Sequence, residues 1–290
     1  MMPSKLPIVL DFDNSVSDIP GALQLPLQTW QESIRFGCRW PTFKQLGQCL
    51  NQLLPSQYGC VFTGSGDYHH LTQLLLQHKK ETRPFQLIVC DNHPDNMRYP
   101  FGIHCGSWVY WASRLPQISH IHVLGISSRD ISLVHAWENH WRPLLRGRLT
   151  YWNLQVNARW LNRFGAGNSN QAFSDPDQMI CAFLRNMDAE NVYLSIDKDV
   201  FSSEVVNTNW DQSCLLESHI QQVIDACHGR LIGADITGDV SSYHYKSRFK
   251  RWLSAADGQD EIPADTARQW QIKQNQLNQR LLSRINRCWR

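Results

Sequence analysis

Short apolar runs alternate along the chain with segments in which apolar residues recur every three or four positions. Several runs are apolar almost throughout, as expected for strands in a sheet that is covered on both faces. The alternation predicts strand–helix repetition, and therefore an α/β fold of three layers with a mainly parallel sheet flanked by helices. The runs lie at residues 8–10, 59–62, 87–90, 121–126, 149–154, 192–196 and 231–236.

The helical spacing is clearest at residues 43–53, 179–187 and 216–227. A final helix is predicted at about residues 265–287, because three arginines near its end suit the negative end of the helix dipole. The polar residues 257–263 predict a loop before that helix and not a domain boundary. We therefore expect residues 1–290 to form a single domain.

Composition excludes several classes of function. The formal net charge is +2 and no long basic block is present, so we expect no binding to nucleic acid. The sequence has no apolar run of about 18 residues and no signal-peptide pattern, so we expect a cytoplasmic protein without membrane insertion. The nine cysteines lack CxxC spacing, which argues against a disulfide framework or a zinc knuckle. We expect them to be buried, reduced thiols.

Polar residues cluster where three of the predicted strands end. His69 and His70 follow the second run, Asp91, His93 and Asp95 follow the third, and Asp197 and Asp199 follow the sixth. The carboxyl ends of parallel strands meet at one edge of a sheet, where ligands bind, so these segments are expected to converge. Neighbouring carboxylates repel unless they are protonated or neutralised by cations, and a mixed oxygen and imidazole set suits manganese or zinc.

These residues resemble the arginase and agmatinase family of ureohydrolases. Residues 91–95, Asp-Asn-His-Pro-Asp, match the family's Asp-Ala-His-x-Asp, and residues 195–199, Ser-Ile-Asp-Lys-Asp, match the start of its Ser-x-Asp-x-Asp motif. Residues 124–130 resemble the family's Gly-[IL]-Arg-Asp strand end with one extra residue. The resemblance covers residues 55–245 and implies an arginase-like fold with two manganese ions per chain.

Carried over by position, the resemblance implies two overlapping ligand sets. Asp91 and Asp197 would bridge the two ions, and a water between them would attack a planar carbon. His69 is preferred to His70 because residues 69–72 match the family's His-Ser-[IV]-Thr. One ion would be held by His69, Asp91, Asp95 and Asp197, and the other by His93, Asp91, Asp197 and Asp199.

Two further residues are implied in catalysis. His104 stands where the family places a His-Gly pair that shuttles protons to the leaving amine, a role that suits a near-neutral pKa. A loop histidine without a chemical role is the alternative. The family's guanidinium-binding Glu is replaced by Gly238, and Asp239 is the neighbouring carboxylate that would act in its place as a catalytic and substrate-binding residue.

The function expected is a manganese-dependent hydrolase that cleaves a non-peptide carbon–nitrogen bond in a small linear amidine or amide. Three alternatives remain open: a zinc deacetylase-like amidohydrolase, a metal-binding protein without catalysis, and a phosphatase that uses Asp11 and Asp13, which follow the first strand. By resemblance alone, we expect a homo-oligomer.

Overall fold

A computed structural model describes residues 5–79, 81–248, 250–251 and 262–290. Nine strands form one sheet in the order β2-β1-β4-β11-β10-β5-β7-β8-β9, and every neighbouring pair is parallel. The strands β3 and β6 form a separate antiparallel pair. The strands are β1 (Ile8–Asp11), β2 (Leu23–Pro26), β3 (Gly37–Cys38), β4 (Cys60–Gly64), β5 (Phe85–Cys90), β6 (Ile103–His104), β7 (Ile118–Ile126), β8 (Leu149–Leu154), β9 (Asn170–Phe173), β10 (Val192–Asp197) and β11 (Leu231–Thr237).

Helices cover both faces of the sheet. Alternate residues of the strands point to opposite faces, so each strand contributes to two separate apolar cores. One core joins the sheet to α2, α3 and α4, and the other joins it to α7, α8 and α9. The described helices are α1 (Gln31–Ile34), α2 (Trp40–Leu53), α3 (Thr72–His78), α4 (Trp108–Ala112), α5 (Trp141–Leu145), α6 (Trp160–Arg163), α7 (Pro176–Asn186), α8 (Glu217–Ala226) and α9 (Ala264–Ile285).

This three-layer architecture confirms the predicted fold class. All seven predicted strands are present, and α9 begins one residue before the predicted start and ends two before the predicted end. Of the predicted loop, residues 257–261 lie outside the described part of the chain. All nine cysteines are free, but Cys181 and Cys214 are exposed, so the expectation that all would be buried was wrong. Within the described residues, no helix combines the length and apolarity needed to cross a membrane.

Candidate metal centre

The carboxyl ends of β4, β5 and β10 place the polar clusters in one cleft of about 440 Å³. These strands are separated only by β11, so the segments that follow them emerge at the same edge of the sheet. Asp197 is the last residue of β10, Asp91 follows β5 directly, and His69 lies in a short 3₁₀ turn after β4. The structure thus brings all six predicted ligands to one cleft: His69, Asp91, His93, Asp95, Asp197 and Asp199.

The first group of ligands surrounds one imidazole nitrogen. Nδ1 of His69 lies 3.1 Å from Asp91 Oδ2, 3.0 Å from Asp95 Oδ2 and 3.3 Å from Asp197 Oδ2. A ring nitrogen has at most one hydrogen to donate, so it cannot satisfy three carboxylate oxygens. All four side chains are buried, which makes the accumulated negative charge costly without a cation.

The second group lies beside the first and shares Asp91 with it. Nδ1 of His93 is 2.9 Å from Asp199 Oδ2 and 3.6 Å from Asp91 Oδ1. Two sets of three residues therefore have ligand atoms within 4.8 Å of one another: His69 with Asp91 and Asp95, and Asp91 with His93 and Asp199. This donor set of imidazole nitrogens and carboxylate oxygens suits divalent transition-metal ions, and Asp91 belongs to both groups.

Burial and mutual repulsion perturb the pKa values of the acidic ligands. Burial and the Asp91 carboxylate raise the pKa of Asp95 to about 7, and the same two causes raise the pKa of Asp199 to about 7. Burial and Asp199 raise the pKa of Asp197 well above its ordinary value. Burial also opposes ionisation of Asp91, but hydrogen bonds from the two histidines hold its pKa below the ordinary value.

The two histidines show the complementary effect. Burial opposes protonation of His69, but hydrogen bonds to Asp91 and Asp95 raise its pKa well above the ordinary value. Burial likewise opposes protonation of His93, and the charge of Asp199 raises its pKa. Without cations, therefore, this cluster retains protons that metal ions would displace.

Neighbouring side chains fix the orientation of the ligands. Nε2 of His69 lies 3.0 Å from Ser195 Oγ, and this hydroxyl donates to Asp235 Oδ1 at 2.7 Å. Trp108 Nε1 donates to Asp95 Oδ2 at 2.6 Å. The backbone of Asp95 has φ of 46°, in the left-handed region that non-glycine residues rarely adopt. Such strain is found where a side chain must be aimed at a functional site.

His104 lines the cleft at the end of β6. Its Nδ1 accepts a hydrogen bond from Gly106 N at 3.1 Å, so a neutral ring carries its proton on Nε2. Burial lowers the pKa of His104 to about 3, in contrast to the near-neutral value that the proton-shuttle role suits. The ring is therefore a neutral hydrogen-bond donor at physiological pH.

Asp239 does not line the cleft, in contrast to its predicted role as a catalytic and substrate-binding residue. Its Oδ1 forms a fully buried ion pair with Lys198 Nζ at 2.5 Å and accepts from Asn278 Nδ2 of α9 at 3.0 Å. Gln274 of α9 donates to Gly238 O at 3.0 Å. Asp239 therefore anchors the end of β11 to α9 instead of facing a substrate.

The structure also explains why residue 238 is glycine. Gly238 has φ of +88°, and a Cβ there would lie 2.4 Å from Asp197 Oδ1 and 2.7 Å from Lys198 N. A glutamate at this position would collide with a predicted ligand. The chain therefore provides no carboxylate from the end of β11 to receive a guanidinium group.

The other residues considered from the sequence, His70, Asp11 and Asp13, lie outside the cleft. His70 is fully buried and does not line the cleft. Asp13 pairs with Arg35 Nη1 at 3.3 Å and accepts a hydrogen bond from Ser241 Oγ at 2.6 Å. Asp11 accepts a hydrogen bond from Gln28 Nε2 at 2.6 Å. Neither aspartate lines the cleft, so the geometry does not favour a phosphatase nucleophile.

Asp211, which lines the cleft beside Trp210, was not predicted from the sequence. Asp211 Oδ1 lies 2.8 Å from His93 Nε2, and its Oδ2 accepts from Asn92 Nδ2 at 3.1 Å. Both residues lie in an irregular segment after β10, where no strand end marks them. The only local signal is an acidic residue beside an aromatic one.

By its fold and site, this protein is a three-layer α/β protein with a buried cluster of carboxylates and imidazoles at the carboxyl ends of its strands. No family model matches the chain. An uncharacterised protein of Thermotoga maritima is 28% identical over 191 residues, and the match spans 66% of this chain and 62% of that relative.

Three solved structures share the fold over nearly the whole chain. Proclavaminate amidino hydrolase from Streptomyces clavuligerus matches with a TM-score of 0.55 and 14% identity over 99% of this chain and 94% of its own. A hypothetical agmatinase from Burkholderia thailandensis matches with a TM-score of 0.52 and 14% identity over 98% of this chain and 86% of its own. Formimidoylglutamase from Bacillus subtilis matches with a TM-score of 0.52 and 12% identity over 97% of this chain and 86% of its own. The chain therefore has the same fold as these amidino hydrolase, agmatinase and formimidoylglutamase structures.

Proposed function

We propose that this protein is a metal-dependent hydrolase that cleaves a non-peptide carbon–nitrogen bond in a small linear amidine or amide. The observation that carries the proposal is the convergence of three buried carboxylate oxygens on one nitrogen of His69. The names of the similar structures, an amidino hydrolase and a formimidoylglutamase, support the same class of bond.

We propose manganese as the metal, with two ions per chain and zinc as the alternative. His69, Asp91, Asp95 and Asp197 would hold one ion, and His93, Asp91, Asp197 and Asp199 the other. When bound, two such cations supply positive charge that acidifies water at neutral pH and polarises a carbonyl or amidine carbon.

The chain's own groups then act on the substrate. We assign to His104 the donation of a hydrogen bond from Nε2 to the leaving nitrogen, since its Nδ1 is occupied by Gly106 N. The ring of Trp210 lies at the cleft beside His93, with ring centroids 5.9 Å apart, and would exclude water from one side. Because Gly238 carries no side chain, the scissile group need not be a guanidinium.

Elemental analysis tests the metal assignment. Protein produced with manganese should contain two ions per chain, and Asp91→Asn should lose both because Asp91 belongs to both groups. Asp130→Asn is the matched control, since Asp130 lines the same cleft outside both groups. Wild-type protein without a transition metal, or full retention in Asp91→Asn and Asp197→Asn, would refute the assignment. One zinc per chain would favour the deacetylase-like alternative.

A substrate panel tests the chemistry separately. Guanidino, formimino and acylamino compounds should be screened for release of urea, ammonia, formamide or a free amine by the metal-loaded protein. Metal-linked stabilisation without hydrolysis of any compound would favour the alternative of a non-catalytic metal-binding protein.

A further inference from the structure

A second cleft, of about 640 Å³, is lined by four arginines: Arg114, Arg142, Arg146 and Arg148. We call it the arginine cleft. Its other lining residues include no carboxylate. The segments that form it directly precede β7 and β8, so it lies towards the amino ends of these strands. The candidate metal centre lies at the carboxyl ends of the strands and is a separate site.

In the described part of the chain, the four arginines of the arginine cleft have no carboxylate partner. Among the described residues, ion pairs with carboxylates involve other arginines and none of these four. Arg142 and Arg146 are four residues apart across α5 and its C-cap, a spacing at which like charges repel. Both are exposed and have no fixed partner in the described chain. Their guanidinium groups are therefore available to an anion that enters the cleft.

The other two guanidinium groups are held in place by neutral acceptors. Arg148 Nη2 donates to the backbone carbonyls of Ser113, Leu115 and Ile118 at 3.2, 3.3 and 2.5 Å. Arg114 Nη1 donates to Tyr110 Oη at 3.0 Å. These contacts orient the side chains without cancelling their charge, so less conformational entropy is lost when a ligand binds.

An aromatic pair forms one wall. The Tyr110 ring lines the cleft and stacks on His140 with centroids 3.6 Å apart and planes 11° apart. Burial, together with the charges of Arg98 and Arg114, lowers the pKa of His140 to about 4. The imidazole is therefore neutral at pH 7 and supports the tyrosine without adding to the repulsion.

We propose that the arginine cleft binds a multiply charged oxyanion of the phosphate type. The planar fork of a guanidinium group matches two phosphate oxygens, and four such groups suit a diphosphate better than a single carboxylate. The phosphoryl group belongs either to a free anion or to a nucleotide. The inference depends on the charges of this cleft and not on the proposed hydrolase activity.

The experiment is calorimetric titration of the full chain at low ionic strength with orthophosphate, diphosphate and ATP as separate probes. One diphosphate should bind per chain. The double variant Arg142→Gln, Arg146→Gln should weaken binding at least about tenfold, because two charge-assisted contacts are lost. Arg163→Gln, Arg185→Gln is the matched control, since it removes two exposed arginines outside the cleft. Circular dichroism checks that both variants are folded.

Saturable binding that is lost only in the cleft variant supports the proposal. Equal affinity for ATP and diphosphate identifies the phosphoryl chain as the recognised group. Tighter binding of ATP indicates that its nucleoside also contacts the wall formed by Tyr110. Weak, non-saturable binding that is alike in all three proteins overturns the proposal. It is also overturned if the cleft variant leaves anion binding unchanged but alters the sedimentation coefficient, because the cleft is then a contact between subunits.

Discussion

Asp91 is the residue on which the two ligand groups depend. Its Oδ2 lies near His69 and its Oδ1 near His93, so each oxygen faces a different group. A carboxylate in this position can neutralise parts of two cations at once, whereas Asp95 and Asp199 each belong to one group. Of the two carboxylates proposed to bridge the ions, Asp91 is the one with an oxygen close to each histidine.

Asp211 is expected to tune metal affinity through His93. A carboxylate beside the distal nitrogen of a ligating imidazole fixes its orientation and raises its basicity. Asp211→Asn should therefore weaken metal binding by about 10- to 100-fold while leaving the fold intact. Competition with a chelating dye measures the affinity.

Asp177→Asn is the control for Asp211. Asp177 makes a similar contact with a histidine, 3.1 Å from His219 Nε2, but lies outside the cleft. Its substitution should leave metal affinity unchanged. Equal affinity in wild type and Asp211→Asn would show that Asp211 has no part in holding the metal.

Gly238 is expected to be intolerant of any side chain. Gly238→Ala should unfold at lower urea concentration and bind metal more weakly, because the new Cβ meets Asp197 Oδ1. Gly229→Ala is the control, since Gly229 has φ of +71° and nothing within 4 Å of its Cβ position. The control should lose only about 1–2 kcal/mol of unfolding free energy, which is the cost of placing a Cβ on a left-handed backbone. If both variants lose the same stability and keep metal, the collision at residue 238 has no effect.

At the residue scale, the position of the candidate ligands was predictable where their spacing is local. Residues 91–95 and 197–199 each hold polar candidate ligands at every second position next to an apolar strand, and the structure brings them together. Asp239 failed because its direction depends on Lys198 and on α9, which is 25 residues further along. Sequence alone does not reveal that a buried cation will take up a carboxylate.

At the scale of elements, the central strands were predictable because both of their faces are buried. β5 and β10 are buried at every residue and therefore appear as continuous apolar runs. The edge strand β2 is largely exposed, β9 is mostly half-buried, and both carry polar residues, so no apolar run marks them. Pattern recognition thus identified the interior of the sheet and missed both edges.

The ion pair between Lys198 and Asp239 is expected to join β10, β11 and α9. Lys198→Met alone leaves a buried carboxylate, and Asp239→Asn alone leaves a buried ammonium group. Each should lower the free energy of unfolding by about 3–5 kcal/mol. The double variant should lose less than the sum, because neither charge then remains unpaired. Urea unfolding of all four proteins gives the coupling energy.

Arg280→Met provides the surface comparison for this cycle. Arg280 pairs with Glu217 between α9 and α8, but its side chain is half-exposed. Loss of this pair should cost less than about 1 kcal/mol. Strict additivity of the Lys198 and Asp239 substitutions would contradict the proposed role of the buried pair.

At the scale of the whole molecule, metal binding should stabilise the fold more strongly as pH rises from 6 to 8. The folded-state pKa values of Asp95 and Asp199 are about 7, above their ordinary 3.8, and those of His69 and His93 are also raised. Stability from such protonated groups is present at low pH and is lost as pH rises through the folded pKa. Manganese takes the place of these protons, so the stabilisation that it gives to the fold increases as pH rises.

The measurement is the difference in Tm between manganese-loaded and chelator-treated protein at pH 6, 7 and 8. Asp91→Asn should show a smaller difference at each pH because it removes a ligand that belongs to both groups. A difference that stays constant or shrinks with rising pH would contradict the assignment of these four residues as proton-releasing ligands.

The anchoring of β11 by α9 also affects the order in which the site can be completed during synthesis. All the proposed ligands precede residue 200, and Gly238 and Asp239 follow them, but Gln274 and Asn278 are translated last. A nascent chain that has emerged only as far as Asp239 carries every proposed ligand without the helix that secures their support. The proposed metal site would therefore gain the support of β11 only after α9 has been synthesised.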